Sequence, residues 1–178
     1  MTKPFIALIG YRCTGKSTVG ARVAEILEWP FFDADAELET RHSTTIRDIF
    51  ATAGEADFRD KESAVLADLT ADTERVISTG GGCVLRPENR DRLRPGFVVW
   101  LTAEPETIWA RMQTDPTTGE RRPNLTTGGL DEIRELLAER EPLYRETADV
   151  ILPTDDQSPE MLAASILKEW TSSSATFI

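Results

Sequence analysis

Short apolar segments alternate with longer amphipathic segments along the chain. Residues 5–9 form a continuous apolar run between a proline and a glycine, which is typical of a strand buried on both faces of a parallel sheet. From Ser17 onward, the apolar positions recur at helical spacing, with charged residues on the opposite side. This succession of strand and helix repeats along the chain and predicts an α/β fold.

The pattern predicts a three-layer α/β/α arrangement around a five-stranded parallel sheet. Strands are expected over residues 5–9, 30–33, 74–79, 97–101 and 150–152. Helices are expected from residue 17, over 34–69 with breaks near Ser43 and Gly54, after Pro87, from Glu104, over 130–145 and over 159–170. The polar residues 171–178 are expected to fray.

Length and charge limit the possible partners. At 178 residues the chain suits a single domain spanning residues 1–178. Its 31 acidic and 20 basic residues give a formal net charge of −11, which argues against a nucleic acid or an anionic membrane surface as partner. No apolar run is long enough for a membrane span or a signal-peptide core. We expect a cytoplasmic protein that acts as a monomer on a small molecule.

Cysteine and histidine are scarce. Two cysteines and one histidine are too few for a disulfide framework or for a metal cluster of Cys and His ligands. A reducing compartment fits this usage.

A phosphate-binding motif follows the first predicted strand. Residues 10–17 match G-x-x-x-x-G-K-[ST] at every fixed position, and the motif opens a predicted helix. Its glycines let successive backbone N–H groups converge on a phosphate, while Lys16 would reach the β- and γ-phosphates and Ser17 would ligate Mg²⁺. The residues expected to bind the nucleotide are Gly10, Arg12, Cys13, Thr14, Gly15, Lys16, Ser17 and Thr18.

Three further groups indicate a small acceptor molecule. Asp33 and Asp35 follow the second predicted strand, at the sheet edge where open α/β folds bind ligands. The triple glycine 80–82 follows the third strand and exposes backbone donors. Arg59 has Glu62 three residues later on the same helix face. These groups suit an acceptor that carries a carboxylate and a hydroxyl.

Each of these features has an alternative explanation. The aspartates alone would equally suit a helix cap, and Arg59 with Glu62 alone would suit a surface ion pair. Because these residues follow a phosphate-binding loop in the sequence, we favour a role in binding or catalysis for them.

Several motifs taken in order resemble the shikimate kinase family, small members of the nucleoside-monophosphate-kinase branch of phosphate-loop folds. The resemblance extends from about residue 5 to the last helix. Its motifs are the segment 10–20, Asp33-Ala34-Asp35, Phe58-Arg59 with Glu62, the triple glycine, Arg122-Pro123, and Arg140 ahead of Pro142-Leu143-Tyr144.

The resemblance implies roles for the residues at the acceptor end. Asp35 would contact the ring hydroxyl that receives the phosphoryl group, and Asp33 would support Mg²⁺ through water. Arg59 and Arg140 would hold the carboxylate of shikimate, helped by Gly81. Gly80 and Gly82 flank that glycine and are included in the expected acceptor site, within a substrate-binding helical region over residues 34–62.

The resemblance also assigns the ATP end. Residues 113–128, rich in Thr, Gly, Pro and Arg, would form a mobile lid whose Arg122 acts with Lys16 on the transferred phosphoryl group. Arg111 and Pro159 would sandwich the adenine. Cys13 stands where the family often has glycine, so a residue with a Cβ must fit that turn.

These assignments predict an ATP- and Mg²⁺-dependent kinase that phosphorylates the 3-hydroxyl of shikimate. Two other functions share part of the pattern. A sugar-acid kinase such as a gluconokinase would need the same loop and a similar clamp on a carboxylate. A catalytically silent nucleotide-binding regulator would be expected to have lost Lys16, Asp35 or an acceptor arginine, all of which are present.

Overall fold

Five parallel strands form one sheet in the order β2-β3-β1-β4-β5. The computed structural model describes residues 3–114 and 129–175. The strands are β1 (Ile6–Ile9), β2 (Phe31–Asp33), β3 (Val76–Ser78), β4 (Phe97–Thr102) and β5 (Val150–Pro153). This arrangement confirms the predicted parallel sheet, although β3 is shorter than the sequence pattern predicts.

Helices connect the strands and cover both faces of the sheet. They are α1 (Lys16–Leu27), α2 (Ala34–His42), α3 (Ile46–Thr52), α4 (Gly54–Leu69), α5 (Pro87–Leu93), α6 (Pro105–Thr114), α7 (Leu130–Thr147) and α8 (Pro159–Ala175). A single 3₁₀ turn (Cys83–Leu85) follows the triple glycine. None of the helices in the described ranges is long and apolar enough to cross a membrane.

The central strand shows how the sheet separates two cores. Ile6 and Leu8 pack with apolar residues of α1 and α8, whereas Ala7 and Ile9 pack with residues of α4 and α7. Neighbouring side chains of a strand point to opposite faces, so a strand between two helical layers is apolar throughout. The continuous apolar run over residues 5–9 is therefore explained by burial on both faces, and the three-layer prediction is confirmed.

The C-terminal helix continues past Trp170, where the sequence pattern places its end, to Ala175. Hydroxyl groups bond to backbone carbonyls one turn earlier: Thr171 donates to Leu167 at 3.0 Å and Ser172 donates to Lys168 at 2.9 Å. These bonds give the hydroxyl groups partners within the helix. Residues 176–178 lie outside the described ranges.

Strand order places the phosphate loop at a switch point of the sheet. β1 pairs with β3 on one side and with β4 on the other. Ser78 in β3 is in register with Leu8 of β1 and with Asp33 of β2. The loops that follow these three strands therefore meet at one edge of the sheet, which is where open α/β folds bind ligands.

Candidate active site

The loop between β1 and α1 takes a conformation that few residues adopt. Gly10 has φ 137°, and a Cβ at this position would lie 2.4 Å from the carbonyl oxygen of Leu101. Gly15 has φ 89° at the N-cap of α1. Cys13 has φ 59°, so a non-glycine residue occupies the left-handed region inside the loop. Only glycine fits at Gly10, which explains the first fixed position of the motif.

Lys16 is buried and lies across its own loop. Its Nζ donates to the carbonyl oxygens of Gly10 at 2.9 Å and Tyr11 at 2.7 Å. The Thr14 hydroxyl donates to the same Tyr11 oxygen at 2.8 Å. The ammonium group is thus held beside the N-terminus of α1, where the helix dipole and free N–H groups favour an anion.

Asp33 uses its two carboxylate oxygens for different purposes. Oδ1 accepts hydrogen bonds from the backbone N–H groups of Asp35 and Ala36 and caps α2. Oδ2 accepts a 2.5 Å hydrogen bond from the Ser17 hydroxyl, which lies 3.4 Å from the hydroxyl of Ser78. Asp33 is therefore a helix cap and a member of the site at the same time.

The oxygen atoms around Ser17 fit a magnesium ion. Mg²⁺ is commonly held by one or two carboxylates together with the phosphates of its nucleotide and water. Ser17, Asp33 and Ser78 supply a carboxylate and two hydroxyls beside the phosphate loop. Within the described residues, His, Cys, Asp and Glu form no cluster of three or more that could hold a metal by itself. A metal ion here would thus depend on the nucleotide for its remaining ligands.

Asp35 lies in the first turn of α2, directly after the carboxyl end of β2. Its backbone N–H donates to Asp33 at 3.1 Å, and its side chain is partly buried. The cap on Asp33 therefore fixes the position of Asp35 relative to the phosphate loop.

Arg59 is buried rather than part of a surface ion pair. Only 7% of the residue is exposed, and its guanidinium donates to Glu62 at 2.7 Å and to Glu55 at 3.0 Å. It also lies 5.0 Å from the centroid of the Phe58 ring. A Cβ at Gly82 would fall 2.4 Å from Nη1 of Arg59. The guanidinium therefore lies directly against residues 80–82, which we call the glycine loop.

Arg140 approaches the same glycine loop from α7. Its Nη1 lies 3.5 Å from the Gly81 carbonyl oxygen, and the Tyr144 hydroxyl donates to that oxygen as well. Arg140 is buried, and its Nε has no hydrogen-bond partner among the described residues. The structure thus brings Arg59 and Arg140 together at neighbouring glycines, beside the phosphate loop.

Arg111 contacts the phosphate loop from α6. Its guanidinium donates to the Cys13 carbonyl at 3.2 Å and to the hydroxyl and carbonyl of Thr154, both at 2.9 Å. Pro159 is partly buried at the first position of α8, and no hydrogen bond or ring contact joins it to Arg111. Arg122 and residues 115–128 of the expected lid lie outside the described ranges, while residues 113 and 114 end α6.

Sequence reasoning overlooked three contributors to this site. Thr154 accepts a hydrogen bond from Arg111, and the Ser78 hydroxyl lies near that of Ser17. The carboxylate of Glu132 lies 4.0 Å from Nη2 of Arg12. Glu132 could have been noticed because it lies eight residues before Arg140, about 80° around the same helix. The roles of Thr154 and Ser78 depend on contacts between distant segments.

Two arginines approach the ring of the phosphate-loop tyrosine. The guanidinium carbons of Arg12 and Arg140 lie 5.7 and 5.8 Å from the centroid of the Tyr11 ring. Burial raises the pKa of the Tyr11 phenol above its ordinary value, although Arg12 and Arg140 act to lower it. Tyr11 therefore stays neutral at physiological pH and contacts both cations through its ring.

A separate cavity of about 440 Å³ lies between α7 and the end of β4. Trp100 and Ile151 contribute to its walls, and Tyr11 and Thr14 also border it. Lys16, Asp35, Arg59 and Arg140 do not line this cavity. The polar groups suited to phosphoryl transfer instead meet at the carboxyl ends of β1, β2 and β3.

The same architecture occurs in a distantly similar protein. The structure of a gluconokinase from Sinorhizobium meliloti 1021 is similar with a TM-score of 0.62 over 99% of this chain and 97% of that one. Its sequence is only 18% identical. This likeness shows a common fold and carries no information on the acceptor.

Closer relatives show much higher identity. A family model described as shikimate kinase matches residues 12–171. A shikimate kinase from Synechococcus sp. (strain JA-3-3Ab) is 45% identical over 162 residues, which cover 90% of this chain and 84% of that protein. The structure of shikimate kinase from Acinetobacter baumannii in complex with shikimate has a TM-score of 0.91 and 36% identity, covering 98% of this chain and 96% of that one. The chain therefore belongs to the shikimate kinase family.

Proposed function

We propose that this protein transfers the γ-phosphoryl group of ATP to the 3-hydroxyl of shikimate, giving shikimate 3-phosphate and ADP. The observation that carries the proposal is the meeting of Arg59 and Arg140 at the glycine loop, next to the phosphate loop. Two buried guanidinium groups beside a nucleotide site suit an acceptor with a carboxylate, since each presents a planar fork of donors.

The charges around the two arginines support an anionic acceptor. Arg59 is neutralised by Glu62 and Glu55. Arg140 has no carboxylate within 4.0 Å among the residues of the described ranges. A buried cation that no carboxylate neutralises is costly, so the carboxylate of an acceptor would supply the missing charge. In this arrangement Arg59 provides hydrogen-bond donors in a fixed position. Arg140 provides most of the electrostatic attraction for the acceptor carboxylate.

On the nucleotide side, residues 10–18 would enclose the phosphates of ATP, with Lys16 leaving its carbonyl partners for the β- and γ-phosphates. Ser17 would bind Mg²⁺ directly and Asp33 would support it through water. When bound, the ion neutralises charge on the β- and γ-phosphates. Arg111 and Pro159 are proposed to flank the adenine, and Arg122 to reach the transferred group.

Asp35 is the proposed base at the reacting hydroxyl. Its carboxylate would orient the 3-hydroxyl toward the γ-phosphorus and accept the proton as the new O–P bond forms. The bond between the γ-phosphorus and the bridging oxygen breaks, and the electron pair leaves with ADP. Because phosphoryl transfer depends mainly on positioning and charge stabilisation, Lys16 and Arg122 would complete the chemistry.

A coupled assay of ADP release tests the proposal. Purified protein is given ATP and Mg²⁺ with shikimate, gluconate or a nucleoside monophosphate as acceptor. Of the three acceptors, we expect only shikimate to be phosphorylated. Phosphorus NMR of the product should then show a phosphate monoester on the 3-hydroxyl. Faster turnover with gluconate would indicate that Arg59 and Arg140 bind the carboxylate of a sugar acid. ATP binding without turnover on any acceptor would indicate a regulator.

A further inference from the structure

A buried ion pair links the phosphate loop to helix α7. Glu132 lies in the first turn of α7, and only 1% of its side chain is exposed. Its Oε1 is 4.0 Å from Nη2 of Arg12, whose side chain is 18% exposed. Water screens charges poorly at such depth, so the attraction between these two groups is stronger than in a surface pair.

The backbone of Arg12 lies close to the proposed acceptor end. Its backbone nitrogen lies 3.4 Å from the position of a Cβ on Gly81, the residue whose carbonyl faces Arg140. Its guanidinium and that of Arg140 approach the ring of Tyr11 at nearly equal distances. Two like charges around one buried ring repel each other unless a negative charge compensates them.

Helix α7 carries the compensating charge on the face that holds Arg140. Glu132, Arg140 and Tyr144 are all buried, and they lie within about 120° of one another around the helix. Tyr144 and Arg140 reach Gly81, while Glu132 reaches Arg12. One helix thus contacts both the glycine loop and the phosphate loop.

We propose that Glu132 is a positioning residue for the acceptor carboxylate and that it acts through Arg12. By holding the guanidinium of Arg12, Glu132 keeps that charge from repelling Arg140 and from pairing with the acceptor carboxylate. Arg140 then remains directed toward the glycine loop. This inference rests on the proposed acceptor and adds a residue that contacts neither substrate.

The test compares Glu132→Gln with wild type and with Glu135→Gln, a matched change on the exposed side of α7. Glutamine keeps the shape of Glu132 and removes its charge. We expect E132Q to raise the KM for shikimate about fivefold or more, with kcat changed less than twofold. Glu135→Gln should leave both constants unchanged.

A second variant separates charge from packing. Arg12→Met removes the group on which Glu132 is proposed to act. In an R12M background, the additional E132Q change should alter the KM for shikimate less than twofold. An effect of E132Q that persists at full size in this background would overturn the proposal, as would an unchanged KM in E132Q alone.

Stability and acceptor measurements distinguish the possible failures. A purely structural role would lower the melting temperature and affect kcat, KM for ATP and KM for shikimate alike, which would also overturn the proposal. If E132Q is recovered unfolded, Glu132→Asp replaces it, since the shorter side chain retains the charge but moves away from Arg12. A wild-type KM in E132D would then reject the role. Absence of wild-type turnover on shikimate would instead reject the proposed function itself.

Discussion

The hydroxyl of Ser17 donates a 2.5 Å hydrogen bond to Asp33, which joins the first turn of α1 to the end of β2. Because the other oxygen of Asp33 caps α2, the proposed metal site and the helix that carries Asp35 share one carboxylate. Two substitutions at Asp33 can separate these contributions.

Asp33→Asn should weaken magnesium support while retaining the cap, because asparagine is as good an N-cap as aspartate. We expect the Mg²⁺ concentration for half-maximal activity to rise by roughly 10-fold or more, as for other groups that support a metal. Asp33→Ala should show the same effect and also lose about 1 kcal/mol of unfolding free energy through the missing cap. Equal Mg²⁺ titrations for wild type and Asp33→Asn would remove Asp33 from the metal site.

Asp35→Ala should lower kcat by about 100-fold or more, the usual effect of removing a group that accepts a proton during the reaction. ATP affinity, measured by calorimetry, should change little because the phosphate loop is intact. Glu37→Ala, two residues later in α2, is the control and should leave kcat unchanged. Near-normal turnover in Asp35→Ala would mean that another group handles the proton.

Arg140→Ala should raise the KM for shikimate by about 10-fold or more, since it removes a charge-assisted contact worth roughly 1.5–3 kcal/mol. The KM for ATP should stay within twofold of wild type. Arg134→Ala serves as the control, because Arg134 lies on the exposed side of the same helix and pairs with Glu106. A change confined to the KM for ATP would place Arg140 on the nucleotide side.

The sheet, most of the helices and the phosphate loop were predictable because each depends on a local pattern. The apolar run of β1 and the glycines at positions 10 and 15 are local signals in the sequence, and the positive φ of both glycines accounts for part of that signal. The alternatives considered for Asp33 show the limit of such reasoning. The sequence offered capping and a place in the site as alternatives, whereas one oxygen of Asp33 caps α2 and the other accepts a hydrogen bond from Ser17.

Contacts between distant segments were not predictable from one sequence. Arg111 meets Cys13 across 98 positions, and the link between Glu132 and Arg12 is equally non-local. Composition offers no signal for such contacts, since an arginine in a helix is usually solvated. Arg59 is buried because α4 packs against the glycine loop, and the local sequence does not indicate that contact.

Gly82→Ala should disturb the acceptor site without touching the nucleotide site. The new methyl group would lie 2.4 Å from Nη1 and 2.5 Å from Nη2 of Arg59, so the guanidinium must move. Glu55 and Glu62 resist that movement, and we expect a loss of ~1–2 kcal/mol of unfolding free energy, as for other overpacked positions. The KM for shikimate should rise severalfold, and the KM for ATP is the internal control. An unchanged KM for shikimate would show that Arg59 does not hold the acceptor.

The carboxyl group of Asp155 is expected to make the free energy of unfolding depend on pH. Its carboxylate accepts hydrogen bonds from the Glu104 backbone N–H at 3.2 and 3.3 Å. Partial burial is the largest single influence and acts to raise the pKa of Asp155. Hydrogen bonds from Thr107 and from backbone N–H groups, together with the charge of Arg111, outweigh it, so the pKa lies below its ordinary value.

A lowered pKa means that the folded state binds a proton less readily than the unfolded state. The stabilisation by Asp155 is therefore fully present above the unfolded pKa of about 3.9 and is lost as pH falls through the lower folded value. Asp155→Asn should melt on the order of 2 °C below wild type at pH 7, and the difference should shrink below pH ~4. Asp156→Asn, at the exposed neighbouring position, corrects for the general effect of removing an acidic residue. A difference that is independent of pH would show that Asp155 acts by its shape and hydrogen bonds alone, without a contribution from its charge.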